Sequence, residues 1–362
     1  MSNIGKHLNV LAELPGLAGY EQAVSNYMKD CFESYGLPVT VDVLGNTITT
    51  IPGTDPNAPS MLITAHMDQL GFVVKNILED GFLKLDRVGG IPEKALPTLR
   101  VSVQTKDGSL VKGLIGMKSH HVTPAEEKYK VDPYGTLFVD IGCSSRQEVL
   151  NLGIQIGSPV IYRPHFEWMQ GSRCNGTAFD NRVACAVALE LAERLSKTPA
   201  AATVHIAGTV QEEYTIRGAI LAARATAPDL CICLDCAITA DTPDLRGMGE
   251  VTLGGGPVMS MYNFHGRGTL NGTIPHPAMV RLIEETAEQT EIPLQRAAGI
   301  GGLSELSYMQ LEGKGIRGVD IGVPCRYTHS QVETADLKDM EMTADLTEAA
   351  VRSLCPAFDM GR

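Results

Sequence analysis

Aromatic side chains are scarce in this 362-residue chain: Phe, Tyr and Trp make up 5%, with Trp168 the single tryptophan. Glycosidases flank a ring-lined sugar site with paired carboxylates, so this composition argues against sugar hydrolysis. Long apolar runs are missing too. Nothing approaches the roughly 20 residues that cross a bilayer, and the opening MSNIGKHLNVLAEL is amphipathic, without the apolar core of a secretory leader. The expected location is the cytoplasm, with no membrane partner. Clusters of Lys and Arg are also absent. Together with a formal charge of −12 this argues against a nucleic-acid partner, because phosphate neutralisation needs grouped cations. The acidic balance suits solubility and cation binding instead. Paired cysteine hooks do not occur either. The nine cysteines are odd in number and irregularly spaced, several inside apolar segments such as DLCICLDC, so buried free thiols are expected rather than disulfides. Alternation puts Cys231 and Cys233 on one strand face, and with Cys236 they read as core packing.

What the chain has in quantity is apolar residues, 44%, enough for at least one large core. Helical spacing over 3–13 and about 20–35 flanks the turn-rich PGLAGYE. The strands PVTVDVL and TITTIPG follow, joined at Gly45-Asn46, and then the uninterrupted SMLITAH, which reads as a buried strand. From Gly71 to Arg163 the texture changes to short strands broken by Gly, Asp and Pro, with a hairpin signal at Lys106-Asp107-Gly108 and one short helix around SSRQEVLNL. This stretch predicts a small β-barrel, and apolar strands in it such as GFVVKNI are expected to be exposed and to form an interface. Beyond Arg163, helix and strand alternate: NRVACAVALELAERLSK, ATVHIAGTV, RGAILAARA, DLCICLD, a long Gly-rich passage from Leu253 to Gly272, HPAMVRLIEETAEQT, RGVDIGV and a last helix ending at AAVRSL. Such alternation predicts an α/β fold, with a mixed, largely parallel sheet sandwiched by helices. The expected division is 1–69 and 165–362 as two parts of one domain, with 70–164 inserted as the barrel.

In open α/β sheets, ligands collect beyond the carboxyl ends of the strands. There the chain places His66 with Asp68, Glu212 with Glu213, Asp235 and His329, while Asp180 precedes a helix at Asn181. Taken singly, each has a plainer use: Asp180 as a helix N-cap, His66 as a core histidine satisfied by Asp68, His329 as a loop residue, Asp235 as the cap of the loop after it, Glu212 and Glu213 as solvated charges. Their convergence on one rim favours a metal site. Two histidines with three carboxylates suit Zn²⁺, Co²⁺ or Mn²⁺, and exceed what a single catalytic ion with an open position takes, so two ions sharing a carboxylate are expected. Asp68 would then accept the second N–H of a ligand histidine. The adjacent glutamates, which alternate in face on an extended strand, suggest one metal ligand and one proton carrier.

The segments TAHMDQLGF, TAFDNRVACAVALEL, VQEEYTIRGA, ICLDCA and YTHSQVE resemble the metal-site segments of the M42 aminopeptidases, the glutamyl and deblocking group that includes the tetrahedral TET assemblies. PGLAGYE, RVGGIPEKALPTLRV and IGMKSHH are similar to that family as well, so the resemblance spans essentially the whole chain. It implies a zinc-peptidase-like catalytic domain and two divalent cations, with Asp180 bridging, His66 and Asp235 completing one site, and Glu213 and His329 the other. It implies Glu212 as general base to a metal-activated water, short peptides as substrates, and homo-oligomers built from dimers up to a dodecamer. Gln69, the TIR after the glutamate pair, GGLSEL and HSQVE depart from the usual family pattern without removing a ligand. The rival expectations are another co-catalytic metallohydrolase, such as a deacylase or an endoglucanase-labelled homologue, and a non-catalytic peptide-binding scaffold.

Overall fold

The computed structural model describes residues 3–266 and 271–362. Its elements run α1 (Asn3–Glu13), α2 (Gln22–Ser34), β1 (Val39–Val41), β2 (Thr47–Ile51), β3 (Met61–His66), β4 (Gly71–Ile77), β5 (Leu83–Val88), β6 (Arg100–Gln104), β7 (Leu110–Ile115), β8 (Val139–Asp140), α3 (Arg146–Asn151) and β9 (Pro159–Tyr162). Then come β10 (Phe166–Trp168), β11 (Arg173–Gly176), α4 (Phe179–Lys197), β12 (Val204–Thr209), α5 (Glu212–Thr215), α6 (Arg217–Thr226), β13 (Leu230–Ile238), β14 (Val258–Phe264), β15 (Gly272–Thr273), α7 (Pro277–Thr290), β16 (Gln295–Ile300), α8 (Leu306–Met309), β17 (Arg317–Arg326), β18 (Glu333–Asp336) and α9 (Leu337–Ser353).

Two sheets organise the chain. The larger follows the order β1-β2-β12-β3-β13-β17-β18-β11-β10, with β14 paired to β17 and β15 and β16 paired in turn to β14. At its centre β12, β3, β13 and β17 are mutually parallel, and the flanks are antiparallel. Parallel strands covered on both faces need apolar residues on both, and β3 is buried along its whole length. One face packs on α1, α2, α4, α7 and α9, and the other on α6 and α8. α4 lies against the first face and buries residues all round from Val183 to Leu189, because Ala, Leu and Val fill six of those seven positions. α9 begins where Asp336 accepts from Lys338 N at 3.0 Å, and α3 where Ser145 accepts from Glu148 N at 3.3 Å.

The second sheet closes on itself as β4-β5-β8-β7-β6-β9 around its own core of Phe72, Leu83, Val101, Val139 and Val160. One expectation is overturned here. In GFVVKNI, Phe72, Val74 and Ile77 point into this core, and the exposed positions are Lys75 and Asn76, so the strand offers no exposed apolar face. The alternation that marks a strand also aims its apolar side inward. The Gly-rich passage likewise holds a strand, β14, although residues 267–270 of it lie outside the described residues. The nine cysteines are free, with Cys231 and Cys233 buried between the sheet, α6 and α8. No helix among the described residues is long and apolar enough to cross a membrane.

Gly71 stands where the chain leaves the main sheet for the barrel. A Cβ there would lie 2.5 Å from Val160 O, a backbone atom of β9 that has no room to yield, and 2.8 Å from a Leu17 methyl. Gly71→Ala is expected to lower stability by about 1–3 kcal/mol, read as a drop in the denaturation midpoint.

Candidate active site

The parallel strands end on one rim. β3 ends at His66, whose side chain is buried, and Asp68 follows two residues on. Asp235 lies on β13 beside Gly322 of β17, and His329 follows β17 in a left-handed conformation with φ 66. Asp180 sits in the first turn of α4, where it and Asn181 depart from helical dihedrals. Its side chain turns to the two imidazoles. Asp180 Oδ1 lies 3.2 Å from His66 Nε2, and its Oδ2 lies 3.5 Å from His329 Nε2. Asp235 Oδ1 and Glu212 Oε2 stand 3.8 and 4.0 Å from His66 Nε2, while Glu213 Oε1 stands 3.9 Å from His329 Nε2. Two groups result, His66 with Asp180 and Asp235, and Asp180 with Glu213 and His329, each with ligand atoms within 4.8 Å of one another.

The glutamate pair is not on a strand. Gln211 takes a left-handed conformation, φ 58 and ψ 34, and α5 starts at Glu212. Both side chains therefore face the same cluster, where an extended chain would have sent them to opposite sides. The Asp68 carboxylate accepts from Glu212 N and Glu213 N, both at 2.9 Å. His66 Nδ1 lies 3.2 Å from the Asp68 backbone carbonyl and 3.6 Å from the carboxylate. A carbonyl oxygen only accepts, so Nδ1 carries the proton and Nε2 faces the acids. His329 has the same arrangement, with Nδ1 donating to Gly90 O at 2.6 Å.

Glu333, the last residue of HSQVE, was given no role from the sequence, yet it is 1% exposed and accepts from His329 N at 2.6 Å and Asp180 N at 2.9 Å. Its spacing of four from His329 was the available signal. Gly90 is a second such contributor, and a backbone carbonyl leaves no mark in a side-chain motif.

The electrostatics are those of an acid-rich pocket. Burial lowers the affinity of His66 for a proton, but Asp180, Asp235 and Asp68 together raise it well above an ordinary imidazole. His329 is pushed up to about 11, burial being outweighed by Glu213 and Asp180. Burial, with Asp180 adding to it, raises Glu213 to about 8, and burial also raises Asp235. Asp180 moves the other way: bonds to His329 and His66 hold it below the usual carboxylate range despite burial. Such crowding of negative groups around inward-facing imidazole nitrogens calls for a cation. Glu213 Oε1, buried and without a hydrogen-bond partner among the described residues, fits the same conclusion.

Comparison with known proteins places this arrangement among peptide hydrolases. The family model of the M42 glutamyl aminopeptidases matches residues 45–346. Lysyl aminopeptidase of Pyrococcus furiosus is 30% identical over 96% of this chain and 96% of its own length. An aminopeptidase of the archaeon Desulfurococcus kamchatkensis superposes with a TM-score of 0.91 at 30% identity, covering 99% of this chain and 97% of that one. The TET1 peptidase of Pyrococcus horikoshii, described as assembling into a tetrahedron or a large octahedral shell, superposes with a TM-score of 0.85 at 27% identity over 97% and 100% of the two chains. The chain belongs to the M42 glutamyl aminopeptidase family, and is an enzyme of the aminopeptidase type.

Cation binding to the native fold alone must stabilise it. Chelation followed by Zn²⁺ at about a hundred times its dissociation constant is expected to add about 2.7 kcal/mol for each group that is filled, seen as a higher thermal midpoint. Asp180→Asn is expected to remove most of that gain, because both groups share this residue.

Proposed function

We propose that this aminopeptidase removes N-terminal residues from short peptides with two divalent cations, Zn²⁺ first and Co²⁺ or Mn²⁺ as substitutes. The observation that carries the reading is the pair of ligand groups sharing Asp180. His66 and Asp235 would hold one cation and Glu213 and His329 the other, with Asp180 common to the two groups. Bound there, the cations supply Lewis acidity, polarising the scissile carbonyl and lowering the pKa of water.

Glu212 is the general base. Its Oε2 reaches to 4.0 Å from His66 Nε2, yet the residue belongs to neither group of ligand atoms. Burial raises it well above the ordinary carboxylate value against the opposing pull of His66. As a carboxylate it takes a proton from the attacking water and returns it to the leaving amine. Asp68 fixes the backbone of both glutamates, and Glu333 fixes that of Asp180 and His329, so each acting group is held before substrate arrives. The likeness to the TET1 peptidase supports a homo-oligomer, with residues 70–164 serving as the dimerisation and assembly unit.

Glu212→Gln is expected to retain both cations by elemental analysis and to lose about 10²–10⁴-fold in turnover of peptide nitroanilides. Near-normal turnover in that variant would remove Glu212 from the mechanism. The substrate class is tested by a panel of free and N-acetylated peptides, with protein reconstituted in Zn²⁺, Co²⁺ or Mn²⁺. Cleavage of the acetylated peptides and not the free ones would sink the aminopeptidase reading.

A further inference from the structure

The segment PGLAGYE, residues 15–21, has no part in the chemistry above, yet it lies against the site. Gln69 N donates to Gly16 O at 2.9 Å and Ala18 N to Gln69 O at 3.2 Å, so the segment runs beside the residue that follows Asp68. The buried Arg182 pins the approach to it. Its Nη1 donates to Leu11 O at 2.8 Å and Leu14 O at 3.4 Å, and a Cβ on Gly16 would come within 2.5 Å of Nη2. Held in this way, Glu21 is 4% exposed. Its Oε1 accepts from Gly19 N at 2.7 Å and from Gln211 N at 3.0 Å.

Gln211 is the joint at which β12 becomes the helical turn bearing Glu212 and Glu213. Its left-handed conformation is one that residues other than glycine seldom adopt, so something outside the local chain has to hold it. The next two amides are caught by Asp68. Three successive N–H groups, those of Gln211, Glu212 and Glu213, thus end on two carboxylates that come from distant parts of the chain. The geometry points to Glu21 as a positioning residue for the glutamate pair: it is the acceptor that keeps Gln211 left-handed, so that both carboxylates face one cluster. This rests on the proposed function, in which one glutamate moves the proton and the other binds a cation. Glu21 itself touches neither.

The role asks for an oxygen at the right reach, because both donors are neutral amides that meet the same Oε1. Glu21→Gln keeps that oxygen and removes the charge. Glu21→Asp keeps the charge and draws the oxygen back by one methylene. The two variants of the full chain are compared by hydrogen exchange of a peptide covering residues 204–216 and by steady-state kinetics. E21Q is expected to exchange like the wild type, with kcat within about threefold of it. E21D is expected to exchange about tenfold faster at residues 211–213 and to lose about 30-fold in kcat, with KM within about twofold. An equal loss in both variants, or an unchanged E21D, overturns the assignment. So does faster exchange of E21D throughout α9, which would mark general destabilisation. Exchange reports on the turn without turnover, so an inactive wild type would count against the proposed function while the role of Glu21 is still decided by the exchange.

Discussion

Burying many carboxylates in one place is the constraint on which this site depends. A lone ionised carboxyl in a protein interior costs several kcal/mol, and several side by side repel one another as well. The chain divides its acids between two tasks. Asp68 and Glu333 each accept from two backbone amides, and so are satisfied while they hold other residues in place. Asp180, Glu213 and Asp235 instead turn oxygens towards the imidazoles, where no backbone donor reaches Glu213 Oε1. The first set makes the geometry rigid, and the second leaves it short of positive charge. Cation binding relieves the second condition only because the first exists.

The barrel contributes to the site as well as to the outline of the molecule. His329 is oriented by the carbonyl of Gly90, just beyond β5, and the Tyr162 hydroxyl at the end of β9 donates to the His329 carbonyl at 3.3 Å. One imidazole is therefore set by the main sheet at β3 and the other by contacts reaching across from the barrel. The orientation of His329 is coupled to how the barrel sits on the main sheet, which matters for any assembly that uses the barrel as its contact.

Much of the fold was legible in the sequence, and for identifiable reasons. SMLITAH and DLCICL are apolar on both faces, which only a strand covered on both sides requires, and they became β3 and β13 at the centre of the sheet. The short strands after Gly71 carried alternation and turn residues, and they closed as a barrel. Burial direction was less legible: GFVVKNI was expected to be exposed, yet its apolar side faces inward. β14 lies in a passage whose flanking glycines, at 254–256 and 266, marked it as a connection, although the strand itself, VMSMYNF, holds none. At the site, His66 and Asp235 stood at the ends of apolar strand runs and the clustered groups could be picked out as candidates, whereas Gly90 acts through its backbone and Glu333 through the backbone amides it accepts from.

By itself the sequence determined which groups are available and in what order: two histidines, the acids at 68, 180, 212, 213 and 235, and the strands that end beside most of them. Periodicity is local, so it fixes an element and its apolar face without reference to the rest of the chain. Tertiary structure alone decided that neighbouring glutamates at 212 and 213 share a face. That outcome depends on a left-handed residue whose amide is held by Glu21, and on an aspartate well over a hundred residues away. A backbone conformation that local preference disfavours persists only when distant partners pay for it, and such partners exist only once the chain has folded.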